Sequence, residues 1–438
     1  MNLQADQKNI LLKELSGIAD QLSEKLSQKP AVQQEFPGLP DMFRRCFMNT
    51  AETTLRLSDE GVFLITGDIE AMWLRDSSAQ VVQYLPFVKD HPAVREMVRG
   101  LILKQFHEIC IDPYANAFND TPKVSMWRTD RTEMNDWEWE RKYEIDSLCY
   151  PVRLLNDYYT RTQDASVFTE EVHEGLRKIV TTFRTEQHHC EDSGYSFFRQ
   201  WPGDPDVLSF DGHGAPVRFT GMTWSGFRPS DDACTYGYLI PSNLFASVIL
   251  PYVSTFAKEV YQDDALLRDA AALAEEISAG IQAYGLLKDT PYGEIYAYET
   301  DGNGNYNFMD DANVPSLLSL PWLNVCKKDD PLYKRTRAAV LSDMNPYYYE
   351  GTAASGIGSP HTPPRYIWHI ALCMQGLTSD DEAERMEMLR MLTATDAGTG
   401  FMHEGFLCDD PAQFTRSWFA WANSLFAHFV MDLFGLAE

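Results

Sequence analysis

The sequence predicts an all-α fold, an (α/α)6 toroid in which six inner helices are wrapped by six outer ones, with residues 1–438 as one domain. Three observations predict it. Helical segments of two kinds alternate, the apolar kind recurs six times, and long loops rich in Gly, Pro and aromatics separate them.

The six apolar segments are RDSSAQVVQYLPFV, DSLCYPVRLLNDYY, DDACTYGYLIPSNLFASVIL, DDANVPSLLSLPWL, RYIWHIALCMQGL and RSWFAWANSLFAHFV, beginning near Arg75, Asp146, Asp231, Asp310, Arg365 and Arg416. A helix apolar all round belongs in an interior. Between them run amphipathic segments such as VREMVRGLILKQFHEI, VHEGLRKIVTTFR, LLRDAAALAEEISAGIQAY and DEAERMEMLRMLTAT, whose charged faces belong outside. Pro86, Pro151, Pro241 and Pro315 are expected to kink or end the inner helices. The loops WPGDPDVLSFDGHGAPVRFTGMTWSGFRPS and NPYYYEGTAASGIGSPHTPP exceed the roughly 12 to 15 residues usual for a connection without function. They are expected to build the site, with some short strand pairing, and no composition break argues for a second domain.

Composition narrows the function classes. Hydrophobic residues at 44% and charged residues at 23% are ordinary for a globular chain. A net charge of -27 repels phosphate backbones and anionic lipid, so neither nucleic acid nor membrane is an expected partner. Eight cysteines without a CxxC pair read as reduced, mostly buried thiols. The N-terminus reads as an amphipathic helix rather than a secretory signal, which leads to an expected cytoplasmic location. No apolar run is expected to approach the roughly 18 residues of a membrane span.

Several motifs fail on spacing. DGNGNYN at 301–307 resembles a calcium loop, but Tyr306 stands where Gly is required and Ala312 where the closing Glu belongs, so it reads as a polar turn. His403 and Glu404 do not extend to HExxH, and no GxSxG or phosphate-binding Gly loop occurs. Neither metal nor cofactor is expected.

What remains is an excess of acids and aromatics at the inner-helix starts. Aligning DSLC on DDAC makes Asp76, Asp146, Asp231 and Asp310 equivalent, and helix capping is the expected role for most of them. In a six-fold ring the inner-helix starts face one funnel. Asp231 would open the third, and Glu404 in GFMHEGF lies just before the sixth. Inverting glycoside hydrolysis needs such a pair of carboxyls, about 6.5 to 9.5 Å apart. On position alone, Glu404 is equally a solvated loop acid and Asp231 a plain cap. Trp73 and Trp224, which precede inner helices, are candidates for stacking on sugar. Arg75, Asp76, Asp146, Asp232, His361 and Arg365 are candidates for gripping hydroxyls.

The blocks TGDIEAMWLRDSSAQ, WERKYEIDSLCYP, TWSGFRPSDDACTYGYLIPSN, GSPHTPPRYIWHIAL and MHEGF resemble glycoside hydrolase family 125, the metal-independent exo-α-1,6-mannosidases, over nearly the whole chain. That resemblance implies an (α/α)6 fold and inverting removal of non-reducing terminal α-1,6-linked mannose from a mannose-containing oligosaccharide or glycan. It also implies no metal. By position it puts the general acid on the first Asp of RPSDD, Asp231, and the general base on Glu404. Asp231 is then expected to be held protonated by a crowded, partly desolvated funnel. The alternatives are an (α/α)6 sugar epimerase or isomerase and a non-catalytic glycan-binding protein.

Overall fold

The computed structural model describes residues 3–58, 61–199 and 206–437, so residues 201–205 of the first long loop lie outside the described residues. The N-terminal amphipathic pattern forms helix α1 (Leu3–Ser27), which buries Leu11, Leu15, Ile18, Leu22 and Leu26 at the expected three- and four-residue spacing. It lies over α2 (Leu39–Asn49). The ring then runs through α3 (Leu74–Ala79), α4 (Pro92–Ile111), α5 (Ile145–Thr162), α6 (Glu170–Gln187), α7 (Ile240–Phe256) and α8 (Asp264–Tyr284). It closes with α9 (Pro331–Val340), α10 (His369–Leu377), α11 (Glu382–Ala394) and α12 (Ala420–Phe434).

The inner helices α3, α5 and α7 pack in sequence, α10 packs on α12, and α12 returns to α3. Outside them, α2 backs α12, α8 backs α7, α11 backs α10, and α4 packs on α6. The protein is thus an (α/α)6 toroid; most of its buried apolar residues, from Leu11 to Leu436, form one contiguous cluster, and Ala71, Trp73 and Ala117 form a small second one.

Four of the outer helices begin differently from the inner ones, whereas α2 and α4 start at a proline in the first turn without a side-chain cap. Outer helices α6, α8, α9 and α11 are capped by the side chains of Thr169, Asp263, Asp330 and Asp381, each worth about 1 kcal/mol. The inner helices have no side-chain cap. They are entered from extended residues, Trp73, Glu144, Leu239, Trp368 and Phe419. Short strands feed three of them: Met72–Trp73 pairs with Ala117–Phe118, Tyr238–Leu239 with Glu299–Thr300, and Tyr366–Trp368 with Gly405–Leu407. The expected capping role of the inner aspartates is therefore corrected. Asp76 and Asp146 lie inside the first helical turn, and Asp231 precedes its helix by nine residues.

The fourth inner segment departs further. Residues 310–323 form turns rather than a helix, with a cis Val314–Pro315 bond, and the Asp310 carboxylate accepts the backbone N–H groups of Leu317 and Leu318. Pro315 and Pro321 remove two helical donors, and Asp310 supplies a local alternative to the helical ladder. The segment still fills its place in the ring, held by Tyr150 on the carbonyl of Val314 and Arg153 on that of Trp322.

Against the expectation of no membrane-length run, the stretch Ile240–Tyr261 is long and apolar enough to cross a membrane. Here it is the third inner helix with its following turn, largely enclosed by the ring. The polar turn expected at 301–307 forms, closed by Asp301 on the N–H groups of Asn303 and Asn305. Among the cysteines, Cys46, Cys149, Cys373 and Cys408 are buried and Cys190 is exposed, and no two form a disulfide.

Candidate active site

Two cavities meet at the mouth of the ring. The inner one, about 180 Å3, is lined by Trp73, Arg75, Asp76, Asp231, His361, Glu404, Arg416 and Trp421 among others. The outer one, about 710 Å3, carries Trp127, Trp139, Lys142 and Arg199 on its wall. Ile69, Trp73, Asp231 and His361 belong to both and mark the boundary. Asp231 therefore touches both spaces, and Glu404 only the inner one.

Glu404 is fixed by its neighbours in the chain. The N–H of Met402 donates to Asn423, that of His403 donates to Nδ1 of His369, and that of Gly405 donates to the Thr415 hydroxyl. His369 gives its Nε2 proton to Thr395, which fixes the tautomer, and burial lowers its pKa to about 3 so that the ring stays neutral. A Cβ on residue 405 would stand 3.1 Å from the Trp368 indole, so glycine lets that ring lie against the strand beside Glu404. The Glu404 carboxylate is 6% exposed and lies 3.7 Å from Nη1 of Arg416, whose Nε donates to Asp68 at 2.8 Å.

Asp231 sits in the turn after Pro229 with φ +69, a left-handed conformation that costs a non-glycine residue about 1–3 kcal/mol and clusters at functional sites. Its N–H donates to the Arg228 carbonyl, and its own carbonyl accepts from Lys142 Nζ at 2.9 Å. Oδ1 accepts from Asn116 Nδ2 at 3.2 Å and from Trp73 Nε1 at 3.4 Å, with Arg75 Nη2 3.7 Å away. Burial pushes its pKa up, but the charges of Lys142 and Arg75 and a hydrogen bond from Glu144 prevail and bring it to about 2. The surroundings thus act against the expectation of a carboxyl kept protonated: without substrate, they hold the Asp231 carboxyl below its usual range.

Arg75 anchors the acids. It is 3% exposed, with Nη1 2.6 Å from Glu144 and 3.1 Å from Asp146, and Nε 3.5 Å from Asp76. Burial raises Asp76 and Asp146 to about 6 although the Arg75 charge opposes it. His361 Nδ1 lies 3.0 Å from Asp232; burial disfavours its charge, but that contact and the charges of Asp231 and Glu404 raise its pKa to about 9.

Of the residues singled out in the sequence, Trp73, Arg75, Asp76, Asp231, His361 and Glu404 line the inner cavity. Four do not. Trp224 is 1% exposed, stacked on His189 with ring centroids 3.5 Å apart and wedged against Gly237, so it is a core residue. Arg365 is exposed and pairs with Asp409. Asp146 is fully buried beneath Arg75, and Asp232 lies buried beneath His361. Sequence reasoning missed Asn116, Lys142, Glu144 and Arg416, which stand in loops between the helices.

Among the described residues, one group of side chains could hold a metal: Asp206, Asp232 and His361, with ligand atoms within 4.8 Å of one another. Three positive charges already serve these acids, Lys142 at 2.8 Å and Arg199 at 3.3 Å from Asp206, and His361 on Asp232. The donor set suits protons better than a cation.

Comparison with known proteins agrees with this geometry. Residues 37–431 match the family model described as metal-independent alpha-mannosidase, GH125. A Streptococcus pneumoniae metal-independent α-mannosidase, described in connection with the processing of N-linked glycans and solved as a non-productive substrate complex with α-1,6-mannobiose, is 42% identical. It superposes with a TM-score of 0.91 over 98% of each chain. The meiotically up-regulated gene 157 protein of Schizosaccharomyces pombe is 37% identical over 92% of this chain and 83% of its own. A bacterial glucoamylase complexed with acarbose shares the fold at 11% identity, with a TM-score of 0.56 over 90% of this chain and 55% of its own. An epimerase and a non-catalytic binder are set aside by this membership. The chain belongs to the GH125 family of metal-independent α-mannosidases, and it is a glycoside hydrolase.

Proposed function

We propose that the protein is an inverting exo-α-1,6-mannosidase that removes a non-reducing terminal mannose, with Asp231 as general acid and Glu404 as general base. The observation that carries this reading is the division of the two carboxyls between the cavities: Asp231 stands at their boundary and Glu404 lines the inner one alone. A terminal mannose in the inner cavity puts its glycosidic oxygen at the boundary, within reach of Asp231, and the remaining glycan in the outer cavity. Glu404 then activates the water that attacks C1 from inside. Trp73 offers an apolar face beside the scissile bond, and Arg75, Asp76, His361 and Arg416 offer the charged groups that grip sugar hydroxyls. The α-1,6 linkage is supported by the mannobiose held in the Streptococcus pneumoniae relative.

Proton NMR of α-1,6-mannobiose digestion tests the reading. β-Mannose is expected to appear first and to mutarotate afterwards. Initial release of α-mannose, or no hydrolysis, overturns it. Asp231→Asn and Glu404→Gln are each expected to keep the fold and to lower turnover by orders of magnitude, and near-normal turnover of either refutes that residue's role.

A further inference from the structure

The site holds more carboxyls than its cations neutralise, and one contact among them has no part in the chemistry above. Glu144, the residue before α5, is 1% exposed. Its Oε2 accepts from Arg75 Nη1 at 2.6 Å and from the Ser147 hydroxyl at 2.8 Å. Its Oε1 lies 3.4 Å from Asn116 Nδ2, and Asp231 Oδ1 lies 3.2 Å from the same nitrogen, so one amide brings the two carboxyls together. Two carboxylates held against one amide repel each other, and a proton held between them relieves that repulsion.

The donor count agrees. Asn116 Oδ1 accepts the N–H of Lys142 at 3.1 Å, which turns its amide nitrogen towards the acids. That nitrogen has two hydrogens and three oxygens to serve: Glu140 at 3.1 Å, Asp231 at 3.2 Å and Glu144 at 3.4 Å. The shortfall falls on Glu144, the longest of the three, and a proton between Glu144 and Asp231 removes it.

We propose that Glu144 is a positioning residue for the catalytic proton: it and Asp231 hold one proton between them, and Glu144 yields it to Asp231 as the glycosidic oxygen arrives. This rests on Asp231 being the general acid. Burial holds the carboxyl of Glu144 above its usual range, whereas the charges of Lys142 and Arg75 hold that of Asp231 down, and both directions favour Glu144 as the resting place of the proton. The groups facing the pair are Arg75 and Asp76 from α3, Asp146 from α5, Glu140 at the end of the strand before α5 and Lys142 in the loop that follows it, Asp206 and the Cys234 thiol from the loop before α7, and His361 from the loop before α10. In the reaction the proton passes from the pair to the glycosidic oxygen, and the C1–O bond breaks with its electrons going to that oxygen. Water bonds to C1 and gives its proton to Glu404. The pair, left with two carboxylates against Arg75 and Lys142, regains a proton from solvent as Glu404 releases one.

The test is the pH dependence of kcat/KM for α-1,6-mannobiose and for α-mannosyl fluoride, whose leaving group needs little protonation. In the wild type the basic limb reports loss of the pair's last proton, which is delayed because it creates two adjacent negative charges. Glu144→Gln keeps the shape and removes the second carboxyl, while the charges of Lys142, Arg75 and His361 on Asp231 remain. The basic limb for mannobiose is expected to move down by about one pH unit or more, so that kcat/KM on that limb falls by about tenfold or more. The fluoride profile is expected to stay in place. Glu144→Asp, which keeps a proton-bearing group, is expected to retain the wild-type limb within about half a unit. A folded Gln variant whose limb coincides with wild type overturns the proposal. So does an Asp variant that shifts by a full unit, or a uniform loss on both substrates with no shift, the signature of a merely structural residue. Failure of the underlying reading looks different: Asp231→Asn would then hydrolyse mannobiose and fluoride alike.

Discussion

Removing the charge of Arg75 while keeping its bulk, as in Arg75→Met, tests how the site holds its acids. The guanidinium is 3% exposed and is the cation shared by Asp76, Glu144, Asp146 and Asp231. Truncating one partner of a buried ion pair costs about 3–5 kcal/mol, because the acids left behind are uncompensated. The loss depends on pH. Asp76 and Asp146 already stand near 6 in the folded protein because burial outweighs the Arg75 charge, and without that charge they rise further. Their folded pKa exceeds the unfolded value of 3.8, so the stability they contribute is full below about pH 4 and is lost as pH rises through the folded value. That value is higher in the variant, so its deficit grows from about pH 6 upward, by about 1.4 kcal/mol per pH unit for each extra proton bound. Urea unfolding followed by tryptophan fluorescence at pH 5 and pH 8 measures it. The full deficit is expected at pH 8 and a smaller one at pH 5. Equal deficits at both pH values, or less than about 1 kcal/mol at pH 8, would refute the reasoning.

Three further outcomes follow from positions described above. Trp224→Ala is expected to cost about 3–5 kcal/mol in urea unfolding while leaving KM for mannobiose within about twofold, because the ring fills core rather than touching sugar. Arg365→Ala, at an exposed ion pair, is expected to change stability by no more than about 0.5 kcal/mol and to leave both kinetic constants alone; a raised KM would return it to the site. His369 has a folded pKa of about 3, below its ordinary 6.5, so the stability from keeping it neutral is present above pH 6.5 and is lost as pH falls towards 3. In His369→Gln the loss of stability between about pH 6.5 and 4 is expected to flatten, and turnover is expected to fall because the His403 N–H beside Glu404 loses its acceptor.

The toroid was legible because the period of the outer helices and the apolar inner segments are local signals that burial preserves. The fourth inner segment was not, since DDANVPSLLSLPWL has inner-helix composition while its two prolines and the Asp310 carboxylate favour turns. Asp231 and Glu404 stood out by position. Their supports did not, because nothing local marks Asn116, Lys142 or Glu144 as neighbours of Asp231, or Asp68 as the partner of Arg416, 348 residues away. Strand pairing at the inner-helix entrances brings such residues together, and strands of two or three residues leave no period to read. Trp224 was misread as a sugar platform for want of one clue the sequence did contain. Gly214, Gly226 and Gly237 surround its ring, and a Cβ at 237 would stand 2.0 Å from it.

The narrow join between the two cavities, walled by Ile69, Trp73, Asp231 and His361, also orders departure. On the proposed reading the bond is cut at that join, which leaves the shortened glycan in the outer cavity and the freed monosaccharide in the inner one. The larger fragment leaves first and mannose last, so added mannose should compete with substrate for the resting enzyme, while the trimmed glycan should act as a weaker, noncompetitive brake.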